Sequence, residues 1–203
     1  MAQVRPYRGI DASERSTLRR ARFIEAGLDL LTEAPGEPTV RAVCDQAGVA
    51  VRYFYESFTD KDDFAAAVFD HVTAGLATTT QAAVAAAPLA DQGRAGMANI
   101  VHTIAADPRV GRLLFSAQLS NDVVSRKRSE SNGFFAMLLG QHAADTLQVP
   151  ESYRRHAGTH FAVGGVAQTI SAWLSHEIDC TPEELIDQLA ASLVALSHLA
   201  VRR

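Results

Sequence analysis

His156 and His160 stand at i, i+4, a spacing at which two helix-borne imidazoles can share one metal ion. No carboxylate or cysteine at helical spacing joins them, so the pair reads as two helix-surface or core histidines. Neither Cys44 nor Cys180 belongs to a set of Cys and His residues at zinc-ligand spacing, and neither a metal nor a disulfide is expected. Gly164-Gly165 lacks the surrounding glycines and the preceding strand of a nucleotide fingerprint. The sequence has no nucleophile elbow and no H-E-x-x-H. It assigns no catalytic residue, cofactor or metal, and points away from an enzyme. The remaining polar residues have another character. Arg52, Tyr53, Tyr55 and Lys61 crowd together, with Arg15, Arg19 and Thr39 before them. Guanidinium, ammonium and hydroxyl groups at that density suit phosphate oxygens and base edges.

The elements that would position them run from Thr39 to Lys61, T-V-R-A-V-C-D-Q-A-G-V-A-V-R-Y-F-Y-E-S-F-T-D-K. Thr39 is an N-cap after Pro38, which holds the chain extended. Val40, Val43, Cys44 and Ala47 then recur at i, i+3, i+4, i+7 on one buried stripe. Gly48 supplies the left-handed backbone that leaves a helix abruptly. A second short helix begins near Ala50, with Val51, Phe54, Tyr55 and Phe58 at the same spacing and Arg52, Tyr53 and Glu56 outward. This is a helix-turn-helix, whose second helix can lie in the DNA major groove. Without a DNA role it would be a plain three-helix packing unit. A guanidinium can grip guanine O6 and N7 together, so Arg52 is the candidate for direct readout, and Val51 for contact with a thymine methyl. Glu56 would be repelled by phosphate; it either accepts from a cytosine amino group or points away. Asp60 reads as the next N-cap, with Asp63 at N3, and Lys61 beside that helix end makes a candidate phosphate clamp.

Before the motif, about Ser13 to Thr32 is helical, with Phe23, Ile24, Gly27, Leu28 and Leu31 on its core face. Ala-Pro-Gly at 34–36 closes it. Arg15, Arg19 and Arg22 line another face and either meet the phosphate backbone or form a solvated stripe. Residues 1–13 read as a flexible arm whose arginines either reach DNA or stay solvated. The net charge is −4, which alone argues against nucleic acid. Its distribution reverses that argument: residues 1–22 sum to +4 and residues 62–203 to −4, as expected when one end meets phosphate.

The order Thr, apolar residue, A-G-V, F-Y-x-x-F, then Lys at the head of the next helix resembles the TetR-type bacterial transcription regulators. The resemblance covers about a quarter of the chain, roughly Arg15 to Val72, and Phe54-Tyr55 is its most specific part. It implies phosphate contacts by Thr39, Tyr55 and Lys61, and base contacts by Val51, Arg52 and Tyr53. Three positions depart from the pattern: Ala50 where Ser is frequent, Tyr53 where Thr is, and Val51 where a polar or basic residue is. They leave the operator sequence unspecified. The resemblance also implies a fourth helix that transmits ligand binding, and a last helix pair that meets its copy across a two-fold axis. A two-fold operator needs a homodimer with half-sites about one turn, ~34–36 Å, or a multiple apart.

The fold expected is all-α, about nine helices: an arm and helix-turn-helix unit over 1–58, then a helical effector-binding and dimerisation domain over 59–203. The fourth helix reaches about Ala87, where Pro88 ends it, with Phe64, Val68, Phe69 and Val72 as its apolar face. Met97, Ile100, Val101 and Ile104 form the next stripe. Asp107-Pro108, an N-cap with Pro at N1, opens a helix through Leu119. Arg126-Lys127-Arg128 reads as the solvated start of a helix from Ser125 to Leu147, which Val149-Pro150 breaks. Glu151 to Glu177 carries Phe161, Gly164, Gly165 and Gln168 on one side, where the small residues permit close helix approach. Thr181-Pro182-Glu183-Glu184 opens the last helix, through Leu185, Leu189, Leu193 and Leu196. Val72, Met97, Val101, Phe115, Phe134, Met137, Leu138 and Phe161 are candidates to line an effector pocket of ~300–1,000 Å³, with Gln118 and His160 as polar anchors. No apolar run approaches the ~18 residues of a membrane span, and the N-terminus lacks a secretion signal's apolar core, so a cytoplasmic protein is expected.

Overall fold

The computed structural model describes residues 12–33, 36–116, 118–119, 121–145 and 151–201. The expected arm, the helix stop at 34–35 and the Val149-Pro150 break lie outside these residues. Nine α-helices and no strand occur among the described residues: α1 (Ala12–Glu33), α2 (Val40–Ala47), α3 (Val51–Ser57), α4 (Lys61–Ala86), α5 (Gln92–Ala106), α6 (Pro108–Phe115), α7 (Asp122–Asp145), α8 (Tyr153–Leu174) and α9 (Pro182–Val201). A 3-10 turn, Leu89–Asp91, joins α4 to α5. No described helix is long and apolar enough to cross a membrane.

Side chains set most boundaries. Thr39 Oγ1 accepts from Ala42 N at 3.2 Å and starts α2. Gly48, at φ 62°, ends it in the left-handed region where a Cβ is costly. Asp60 Oδ1 accepts from the N–H groups of Asp62 and Asp63 and caps α4. Asp107 precedes Pro108 and accepts from Arg109 N. At α9 a reciprocal box forms, with Thr181 Oγ1 accepting from Glu184 N while the Glu184 carboxylate accepts from Thr181 N.

Three expectations need correction. α6 stops at Phe115, not Leu119, because Ser116 turns to extended backbone. α7 starts at Asp122 rather than Ser125, since Asn121 Oδ1 accepts from Val124 N and serves as its N-cap. The basic run at its head is solvated only in part. Arg126 is exposed beside Glu130, but Lys127 Nζ donates to Asp70 of α4 at 2.9 Å. The half-buried Arg128 donates to the carbonyls of Arg112, Leu113 and Ser116. The last turn of a helix leaves carbonyls without donors, and this guanidinium supplies them for α6. Burial without a carboxylate pushes its pKa down.

Two apolar clusters hold the helices. The first joins Phe23, Leu28 and Leu31 of α1, Val43 and Cys44 of α2, Phe54 and Phe58, and Phe64, Val68 and Phe69 of α4. The rings of Phe23, Phe54, Phe58 and Phe64 lie 5.1–5.9 Å apart wherever they meet. This ring cluster fixes α3, whose seven residues could not hold a helix alone. The same cluster continues into Leu113, Val123 and Val124, so the core does not break at residue 58. The reason is α4, whose buried first half serves both sides. The second cluster joins Val101 and Ile104 of α5, Val110, Ile170 of α8, and Leu185, Ile186 and Leu189 of α9. Val72 and Leu114 pack against both.

Candidate nucleic-acid interface

α3 buries Phe54 and turns Val51, Arg52, Tyr55 and Glu56 outward. Tyr55 is 60% exposed and Val51 45%, an unusual degree of exposure for an apolar or aromatic side chain beside a packed core. Tyr55 stays oriented by its edge contact with Phe54, ring centroids 5.4 Å apart. Ala50 precedes α3 with no side-chain cap, as its residue type requires.

Tyr53 is half-buried against the first cluster. The Arg19 guanidinium lies over its ring at 4.4 Å and that of Arg52 at 4.5 Å. Arg52 Nη2 also donates to the Tyr53 hydroxyl at 2.6 Å. Tyr53 therefore flanks the outward face rather than joining it. Glu56 neither stands free nor faces open solvent alone; its carboxylate lies 4.0 Å from Arg19 Nη2.

The expected basic stripe of α1 divides. Arg15 is exposed, whereas Arg19 is drawn onto Tyr53 and Glu56. Arg20, which the stripe had left out, donates to Ser57 O at 2.7 Å and lies over the Phe58 ring at 4.5 Å. It caps the C-terminal end of α3, where carbonyls lack donors. An arginine one position off a stripe, three helices' worth of sequence before its partner, carries no local signal for that role.

Thr39 is exposed, and capping uses its oxygen as acceptor, so its hydroxyl proton remains available. Lys61 is exposed at the head of α4, but its ammonium is paired with the Glu37 carboxylate, which holds it above the ordinary lysine range. Asp60 already occupies the N–H groups of that helix end. The clamp read from sequence is thus closed by two acidic residues of the chain itself.

A second polar centre ties this unit to the rest of the chain. Arg109, at the head of α6, donates to Glu25 of α1 at 2.8 Å, to Asp29 of α1, and to Asp107 at 2.7 Å. Gln46 of α2 donates to the other Asp29 oxygen at 3.2 Å. The Arg109 guanidinium holds the Asp107 carboxyl below its usual range. Three carboxylates around one guanidinium raise the Arg109 pKa in turn. No spacing in the sequence brings residues 25, 29 and 109 together.

The ten expected effector-site residues split into two groups. Val101 is buried in the second cluster, with Val72, Met97 and Phe115 packed around it. Phe134, Met137 and Phe161 are 44%, 50% and 69% exposed, Gln118 and His160 are exposed, and Leu138 is half-buried. An open groove of about 480 Å³ runs between α1 and α4 past Arg20, Ile24, Asp63 and His71, and none of the ten borders it. Among the described residues no group of three or more His, Cys, Asp or Glu side chains could hold a metal ion.

No family model and no curated protein sequence matches the chain. Solved structures do. A TetR-family regulator from Syntrophomonas wolfei superposes with a TM-score of 0.73 at 13% identity, over 90% of this chain and 96% of that one. A transcriptional regulator from Pseudomonas aeruginosa PAO1 matches with a TM-score of 0.66 at 19% identity, over 96% and 95%. FadR from Bacillus subtilis, a transcriptional regulator in complex with stearoyl-CoA, matches with a TM-score of 0.66 at 16% identity, over 86% and 97%. The all-helical architecture of this chain, from α1 through α9, is the fold of the TetR-family transcriptional regulators.

Proposed function

We propose that this protein is a cytoplasmic member of that regulator family: a homodimeric, ligand-responsive repressor whose two α3 helices read a palindromic operator. One observation carries the reading. α3 is bolted to the core by Phe54 and Phe58 while Val51, Arg52 and Tyr55 face outward, the display a groove-reading helix needs. Arg52 supplies direct readout, Val51 apolar contact, and Thr39, Tyr55 and Lys61 meet phosphate after Glu37 gives way. The dimer forms through α8 and α9, whose outward sides carry Phe161, Gly164, Gly165 and Gln168, and Ala191, Val194 and Ala195.

The effector is a small molecule taken up in the helical body, between α4, α5 and the helices after them. The stearoyl-CoA in the complex of FadR from B. subtilis supports a ligand that carries a long apolar chain. Binding shifts α4 and, through Arg109, the seat of α1, so the recognition helices leave operator spacing. An effector acts only through unequal affinity for the two states; moving 1:99 to 99:1 takes ~5.5 kcal/mol.

Gel shifts on duplexes around its own gene, at stated salt, test this. Specific binding in the ~10⁻⁸–10⁻¹¹ M range is expected. Arg52→Ala should relax preference at one position per half-site by about 1–3 kcal/mol, while Lys61→Ala weakens all sequences alike. The engaged state of Arg52, Arg19 and Lys61 favours one second reading, a helical ligand-binding protein that no longer reads an operator. Micromolar binding indifferent to sequence would select it. A regulator of the same fold that activates, or that its effector drives onto DNA, would keep the specific shift and reverse the effector's direction.

A further inference from the structure

Tyr53 occupies a recognition-helix position but does not share the recognition face. Its ring is half-buried, and two guanidinium groups from different helices lie over it, Arg19 at 4.4 Å and Arg52 at 4.5 Å. Its hydroxyl is in hydrogen-bond contact with Arg52 Nη2 at 2.6 Å. The geometry points to Tyr53 as a positioning residue: it holds Arg52 in a fixed attitude at the edge of α3 and so sets the base preference that Arg52 delivers. This rests on the DNA-reading function proposed above.

The physical case has three parts. A free arginine side chain samples many rotamers, and ordering it on binding opposes affinity. Ring stacking with a guanidinium is attractive in itself, more so when the ring is partly desolvated, as Tyr53 is. The hydrogen bond to the hydroxyl fixes rotation of the guanidinium plane about its own axis, which stacking alone leaves loose. That bond engages one of five N–H donors and leaves a pair for guanine O6 and N7. A guanidinium held this way reaches the groove with its plane already chosen, and a base pair that does not fit the plane is penalised. Arg19 completes the arrangement: it sits on the same ring and within 4.0 Å of Glu56, and so ties the attitude of Arg52 to α1.

Selection of binding sites from a random duplex pool by the full-length protein, followed by affinity measurements on the recovered site and its single-base variants, tests the assignment. Wild type should recover a site with one strongly preferred guanine per half-site. Tyr53→Phe keeps the ring and loses the hydroxyl, and should reduce discrimination at that guanine about threefold. Tyr53→Leu loses both and should reduce it roughly tenfold or more, with binding to non-specific duplex and its salt slope unchanged. In Arg52→Ala, the further change Tyr53→Phe should have no effect at that base. Equal weakening on every sequence by either variant, or unaltered discrimination in both, would overturn the positioning role. If Tyr53→Leu fails to fold by circular dichroism, the Phe variant and the Arg52→Ala background still decide. Failure of wild type to recover any sequence would instead refute operator reading, a separate outcome.

Discussion

Arg109→Met removes a guanidinium while keeping much of the stem's length and apolar contact, so its effect isolates the polar joint between α6 and α1. Two of the Arg109 ion pairs cross between these helices. The Glu25 side chain is 64% exposed, and a pair of that kind contributes well under 1 kcal/mol. The Asp29 side chain is 23% exposed and that of Arg109 26%; a charge-assisted hydrogen bond so placed contributes about 1.5–3 kcal/mol. Asp107 keeps its capping bond to the backbone N–H at position 109, and its pair with Arg109 lies within the head of α6 rather than across to α1. The three carboxylates left behind repel one another. The total is about 2–3 kcal/mol, a fall in Tm of about 4–12 °C for a chain of this size. A double-mutant cycle with Asp29→Asn, read by thermal denaturation, identifies the partner. The two changes should be coupled by about 1–2 kcal/mol, with Asp29→Asn costing little once Arg109 is gone. Strict additivity of the two losses, or a Tm unmoved by Arg109→Met, would refute the joint.

The same joint has a pH signature. Asp107 is held below its usual range in the folded chain, so its contribution is present above the unfolded carboxylate pKa of ~3.9 and is lost as pH falls through the depressed folded value. The Tm gap between wild type and Asp107→Asn, in which the cap survives without the charge, should be constant above about pH 5 and close below pH 4; a gap that widens in acid would contradict it. Gly27→Ala places a Cβ 2.5 Å from Phe64 Cζ and 2.6 Å from Val68 Cγ2, both fully packed. Overpacking of ~1–3 kcal/mol offsets or exceeds a helix-propensity gain of ~1, and denaturant melts should show a net loss of up to about 2 kcal/mol; a gain would mean α1 and α4 separate freely. Glu37→Gln frees Lys61 and should tighten binding to every duplex while steepening the salt slope by about one phosphate contact; unchanged affinity and slope would mean that Lys61 reaches no phosphate.

What the sequence carries legibly is local. Thr39, Gly48, Asp60, Asp107 and the Thr181–Glu184 box announce helix ends because each acts within a turn of itself, and the structure uses every one. The apolar stripes of α1, α2 and α4 likewise report which face is buried, whereas that of α3 does so only at Phe54 and Phe58, since Val51 and Tyr55 at the same spacing face outward. Long-range pairing leaves no such mark. Arg20 on Ser57, Arg128 on the end of α6 and Arg109 on Asp29 are separated by 37, 12 to 16 and 80 residues, and in sequence each is one more surface arginine. The helix-turn-helix face is legible as a set of exposed residues, while the state of those residues is not: Arg52 lies on Tyr53 and Lys61 on Glu37. The body is least legible, because Phe134, Met137 and Phe161 have the composition of core and the exposure of surface. Periodicity tells that a helix has an apolar side, not whether that side meets the same chain or a second copy.

Hydroxyl-radical footprinting of the full chain on a duplex recovered from the random pool tests the central claim most directly. Two α3 helices presented by a symmetric pair should protect two backbone patches related by two-fold symmetry, one helical turn or a multiple apart. A single patch, or even protection along the whole duplex, would contradict it.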